Sequence, residues 1–157
     1  MLLEVLLALH ILSAVIFVGN IITAAFWKVR ADLSGNLETI ALTTRAVLIA
    51  DWAFTGPGIL VLLGTGLAMV GLTGWERFQE LWLGLSFVLL IVTGIIWIVV
   101  LVPLQRRMAR LARDGAASGT LDSAYYRTSR MWAIFGGIAT LLPVVILFLM
   151  VLKPTME

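Results

Sequence analysis

Four long apolar runs, at roughly 2–27, 46–72, 81–102 and 131–152, leave this chain little choice of fold. Each is long enough for a helix to cross the hydrocarbon core of a bilayer, which takes about 20 residues. None alternates like a strand, and backbone groups inside a bilayer must be satisfied within the protein, so each run reads as a transmembrane helix. The stretches between them are too short to fold alone. The expected architecture is all-α, one integral-membrane four-helix bundle over residues 1–157. Composition agrees, with 61% hydrophobic residues and a mean hydropathy of +1.07. Charged residues make up 13%, about half the roughly 25% of a soluble domain. A water-soluble enzyme, a secreted module and a disordered tail are excluded.

Charge sets the expected orientation. Lys28, Arg30 and Arg45 lie between spans one and two, and Arg106, Arg107, Arg110, Arg113, Arg127 and Arg130 between spans three and four. Only Arg77 and Lys153 fall on the other side. Nine cations against two put both basic connections in the cytoplasm and both termini outside, in a bacterial inner membrane. Trp27, Trp75, Trp82 and Trp132 stand at span ends, where indoles favour the interface. Ser34-Gly35-Asn36 reads as a turn with a helix cap, and Pro103 as the end of span three. The arginines after it continue the helix beyond the bilayer until Gly115, Ser118 and Gly119 break it. The net charge of +2 thus serves lipid and topology. No nucleic-acid recognition motif is present, so nucleic acid is not an expected partner. The expected partner is the lipid bilayer, and a homodimer or a larger membrane complex is compatible with every reading below.

The chain has no cysteine, which excludes disulfides, iron–sulfur clusters and thiolate metal sites. Met-Leu-Leu-Glu at the N-terminus has no basic segment, and the apolar run after it is too long for a signal peptide, so span one is expected to be retained.

Polar side chains inside a membrane are costly and point to function. They gather in the first half of the chain. His10, the sole histidine, lies about 10 Å inside span one at 1.5 Å per residue. Neutral imidazole there can hydrogen-bond a neighbouring helix, shuttle a proton, or ligate a metal or haem iron. Ser13 and Phe17 share its face, and Ala14 leaves room beside it, so either a flat macrocycle or close helix packing is accommodated. Met69 and Met150, near the same depth, are the candidates for a second axial ligand. Asn20 and Asp51 fall at a common depth nearer the basic connections, with Arg45, Arg127 and Arg130 within reach. This second cluster reads as a proton or anion site, or as a polar fastener of the bundle. Gly56-Pro57-Gly58 predicts a kink beside Asp51. Gly64, Gly66, Gly136 and Gly137 are expected to let helices approach closely.

Leu9-His10-Ile11-Leu12 with Gly19, Phe26-Trp27-Lys28, Asp51, Gly56-Pro57-Gly58 and Lys153-Pro154 together resemble a bacterial family of predicted small four-span integral membrane proteins with a domain of unknown function. The resemblance covers nearly the whole chain. More loosely, the first span is similar to that of the four-span bacterial protoporphyrinogen oxidases, in which a first-span histidine ligates haem b, and to that of copper-resistance inner-membrane proteins. His10 and Gly19 carry that likeness. Span three has no Lys or Arg inside it, unlike the oxidases, and one histidine without cysteine or a close methionine pair is a poor copper set.

Three functions are therefore expected in order. The first is haem b or a related porphyrin held through His10, with electron transfer or a porphyrin redox step as the role. The second is a non-enzymatic scaffold or accessory subunit, whose polar residues fix helix registry. The third is a small proton-coupled transporter working through Asn20, Asp51 and the Pro57 kink.

Overall fold

A computed structural model describes residues 1–154, and Thr155–Glu157 lie outside the described residues. Four helices of membrane-crossing length and composition make up the fold: α1 (Leu2–Ser34), α2 (Leu37–Thr73), α3 (Leu81–Ser118) and α4 (Ser123–Leu152). At 1.5 Å per residue they run about 45–57 Å, well beyond the about 30 Å of a hydrocarbon core. The surplus lies at the end that carries the two basic stretches, here the basic end. The other is the termini end.

The stretch between spans one and two, read from the sequence as a connection, is helical almost throughout, and the arginines after span three continue its helix as expected. The α1–α2 turn is only Gly35-Asn36. Gly35 takes φ 65°, which a residue without Cβ adopts freely, and the Asn36 side chain accepts from the Thr39 amide at 2.9 Å. The α3–α4 turn follows Gly119 (φ 81°), and Asp122 caps α4 by accepting from the Ala124 amide at 2.7 Å. Gly115 lies inside α3 rather than breaking it: a Cβ there would sit 2.8 Å from Leu121, so its absence lets the turn fold back onto the helix. Pro103, read as the end of span three, lies inside α3, and the helix continues past it to Ser118 as expected. At the termini end, α2 and α3 are joined by Gly74 (φ 119°) and a 3-10 turn, Trp75–Gln79.

One hydrophobic core runs through the bundle, and Ala31, Ile40, Val47, Met108, Ala112 and Tyr125 carry it into the basic-end extensions. Here α2 packs on α3, and both α1 and α3 meet α4. Towards the termini end the helices associate chiefly as two pairs, α1 with α2 and α3 with α4. Within the spans Phe17, Ile59, Leu62, Trp97 and Leu101 are buried, while most other large apolar side chains face outward, as in a bundle whose solvent is lipid.

Two prolines shape the middle. Pro57 and Pro103 lack the N–H that would close an α-turn, and each is preceded by a π-helical turn, Asp51–Thr55 in α2 and Ile96–Leu101 in α3. The residue just before each proline donates five residues back, Gly56 to the Asp51 carbonyl and Val102 to that of Trp97. The buried residues run Val47, Asp51, Thr55, Ile59 in α2 and Thr93, Trp97, Leu101, Gln105 in α3, every step being four residues. A regular helix over-rotates by about 40° at each such step, and the wider turn absorbs that drift.

Of the glycines expected to allow close approach only Gly66 meets a neighbour, and the tightest contacts between the four helices are at Gly56 and Gly58. A Cβ on Gly58 would stand 3.0 Å from that of Phe17, and one on Gly56 would stand 3.0 Å from the Trp97 ring. Gly66 lies against the His10 ring, but Gly64, Gly136 and Gly137 meet nothing within 4 Å. The four span-end tryptophans differ in burial. Trp27 and Trp75 are exposed, whereas Trp82 and Trp132 are buried, with Lys153 5.4 Å above the first ring and Lys28 5.3 Å above the second.

Candidate functional site

Residues that sequence alone singles out resolve into two separate intramembrane sites, one at His10 and one at Asp51. Asn20, which belongs to the second, is ten residues from His10, about 15 Å along α1.

Thr65 on α2 faces His10 on α1. The Thr65 hydroxyl lies 2.6 Å from the Val61 carbonyl one turn earlier, an acceptor that can take only a proton. It therefore has a lone pair to offer the imidazole, whose Nδ1 is 2.8 Å away. A hydroxyl turned to Val61 accepts from the Nδ1–H tautomer, in which Nε2 keeps a lone pair with no hydrogen-bond partner among the described residues. The ring is half-buried, its Nδ1–Cε1 edge set against Gly66. Ser13 and Phe17 do not line a free slot beside it. Both are buried in the α1–α2 seam, with Phe17 against Gly58, because residues three and seven after His10 fall on the face that packs on α2. Met69, half-buried, stands one turn beyond Thr65 on α2, and Met150 is half-buried on α4.

Asp51 opens the π-turn of α2 and is 5% exposed. Its Oδ1 accepts from Asn20 Nδ2 and from the Thr55 hydroxyl, both at 2.9 Å, and its Oδ2 accepts from Gln105 Nε2 at 2.6 Å. Asn20 Nδ2 also lies 3.0 Å from the Thr55 hydroxyl. Three helices thus converge on one carboxyl through neutral groups. Arg45 is not among them. Six residues turn a helix by about 240° beyond one full turn, so Arg45 lies on another face from Asp51 and is exposed, as are Arg127 and Arg130. The Gln105 side chain takes the place expected of a cation, and its buried Oε1 has no hydrogen-bond partner among the described residues.

Beside this cluster a groove of about 380 Å³ opens between α1 and α2 on the bundle surface. Trp27 and Thr43 line its basic end, Thr23 and Ala46 its walls, and Asn20 its inner end.

A third polar cluster sits in the basic-end extension. Lys28 is 2% exposed. Its ammonium pairs with Asp32 at 2.5 Å and donates to the Ser129 hydroxyl, which in turn donates to Asp32. The Tyr125 hydroxyl donates to the other Asp32 oxygen at 2.6 Å. Sequence reading took Lys28 as a flanking charge. The four-residue spacing to Asp32 was the available signal, but Ser129 and Tyr125 come from the far end of the chain.

Residues 4–154 match the family model DUF2269, described as a predicted integral membrane protein, and the chain belongs to that family. Nothing among the curated proteins or the solved structures matches it.

Proposed function

We propose that this DUF2269 protein binds haem b or a related porphyrin through His10 Nε2 and serves in electron transfer or a porphyrin redox step. One observation carries the reading: the Thr65 hydroxyl holds Nδ1 of His10 at 2.8 Å, which orients the ring and, in the Nδ1–H tautomer, leaves the Nε2 lone pair free for ligation. Histidines that ligate metals commonly hold their second nitrogen in such a bond, which raises ligand basicity and locks the tautomer. Among the described residues no three His, Asp or Glu side chains converge, so a single axial ligand to a macrocycle suits this histidine better than a metal caged by protein alone. Bound haem would supply one-electron redox chemistry; the chain would hold and orient it and set the surrounding dielectric.

His10 is half-buried, so a macrocycle would reach it from the flank of the α1–α2 pair, leaving its far face to lipid or to a second copy of the chain. Met69 shares the α2 face that already holds the ring, and of the two methionines only Met150 comes from outside that pair. The setting for this role is a bacterial inner membrane with both termini outside, supported by the nine-to-two distribution of Lys and Arg.

The test is the visible spectrum of detergent-purified protein, oxidised and dithionite-reduced, beside His10→Ala and Thr65→Val. A Soret band is expected in the wild type, absent in His10→Ala and weakened or displaced in Thr65→Val. A protein from haem-sufficient cells that stays colourless on haem titration overturns the proposal and leaves the scaffold reading.

A further inference from the structure

We propose that Asp51 is a proton-loading site within the membrane, that Gln105 is the switch that accepts the loaded proton, and that the α1–α2 groove is its way in from the basic end. The inference is independent of any group bound at His10.

It begins from an imbalance of charge. Every partner of the Asp51 carboxyl is neutral: Asn20 from α1, Thr55 from its own helix and Gln105 from α3. Among the described residues no charged group forms an ion pair with it. Arg106, next to Gln105, is exposed and lies over the Trp52 ring at 5.9 Å. Lys28 is eight residues from Asn20 along α1 and is held by Asp32. A lone carboxylate at this depth is costly, and a positive charge from outside the described side chains relieves it.

Two features favour a proton over a metal cation. Oδ1 already accepts two hydrogen bonds and Oδ2 one, so donor hydrogens crowd the oxygens that a cation would need. The contact to Gln105 is 2.6 Å, below the about 2.7–3.2 Å of N–H···O bonds and within the about 2.5–3.0 Å of O–H···O bonds. Gln105 Oε1, on that same amide, is buried and unpartnered. When a proton from water adds to Oδ2, that oxygen becomes a donor. A half-turn of the amide then brings Oε1 round to accept from it and withdraws Nε2. No electrons move, and the site gains one positive charge. The groove ends at Asn20, whose amide touches Asp51, and Thr23 and Thr43 give water polar footing along it.

The experiment is infrared difference spectroscopy of the full-length protein in lipid nanodiscs across pH steps. Asp51→Asn assigns the acid, and Gln105→Leu removes the acceptor. A protonated-carboxyl C=O band is expected to grow as pH falls, to vanish in Asp51→Asn and to move to higher frequency in Gln105→Leu. The chain has two glutamines, Gln79 and Gln105. Carbon-13 at the glutamine amide in a Gln79→Asn background therefore reports Gln105 without touching the site, even where Gln105→Leu fails to fold. That amide band should shift in step with the carboxyl band. Ala46→Phe, which fills the groove, should slow the response severalfold without abolishing it. Absence of the carboxyl band, a labelled amide that ignores it, or carboxylate bands that answer sodium at constant pH each overturn the proposal, the last in favour of an alkali cation.

Discussion

Replacing Asp32 by Asn removes a charge from the Lys28 cluster while leaving an oxygen to accept from Tyr125. The ammonium it faces is 3% exposed and 2.5 Å away, whereas the Asp32 side chain is 29% exposed. At an effective dielectric constant of about 20, the attraction at that distance is about 7 kcal/mol before desolvation. Withdrawing an ammonium from water costs several kcal/mol, and breaking one side of a buried pair typically destabilises by about 3–5 kcal/mol. The partial exposure of Asp32 admits screening, so the lower end applies, about 3 kcal/mol. Lys28→Met in the same chain removes the stranded charge, and the double variant should return to within about 1 kcal/mol of the wild type. Reversible unfolding in mixed dodecyl sulfate micelles, followed by circular dichroism and tryptophan fluorescence, gives the four values of the cycle. A single variant that loses less than about 0.5 kcal/mol, or a double variant no better than Asp32→Asn alone, refutes the reasoning.

Two further outcomes can be read in the same assay. Gly58→Ala sets a Cβ 3.0 Å from that of Phe17, an atom fixed to the α1 backbone. Overpacking of about 1–3 kcal/mol should therefore outweigh the gain in helix propensity of about 1 kcal/mol, whereas Gly137→Ala, which meets nothing within 4 Å, should be neutral or stabilising. Asn36→Ala removes the cap that holds the Thr39 amide and should lose about 1 kcal/mol, with faster hydrogen exchange over Leu37–Ile40 as the local sign.

Helix number and the location of polar groups were legible because both follow from single-span arithmetic: apolar length, and a His, Asn or Asp within it. So was the Gly35-Asn36 turn, whose residues carry their own backbone preferences. The run of arginines after span three was legible as a continuation of its helix, but reading the stretch between spans one and two as a connection failed because hydropathy records where lipid ends, and a helix does not end there if its neighbours extend alongside. Met108 and Ala112 stand one helical turn apart among the arginines of α3, and with Ile40 and Tyr125 they continue the bundle core beyond the spans. Pairing between distant segments was not legible. Thr65 reads as an ordinary polar residue of a span until it meets His10, and Gln105 as one polar residue in a run of arginines until α3 lies along α2. Arg45 misled for a related reason: nearness in sequence stood in for a shared face.

The π-turn in α2 has a consequence for both intramembrane sites. A π-turn is in effect one residue more than a regular helix needs for the same path, so it fixes the rotational phase between Leu37–Ala50 on one side and Gly56–Thr73 on the other. Asp51 answers to Gln105 on α3 at its start, and Thr65 answers to His10 on α1 beyond it. Deleting a single residue there would leave a regular helix with its composition nearly intact, yet turn one segment against the other by about 100°. One of the two pairings would then have to be given up. A surplus residue ahead of Pro57 thus gears the acid and the histidine to the same helix.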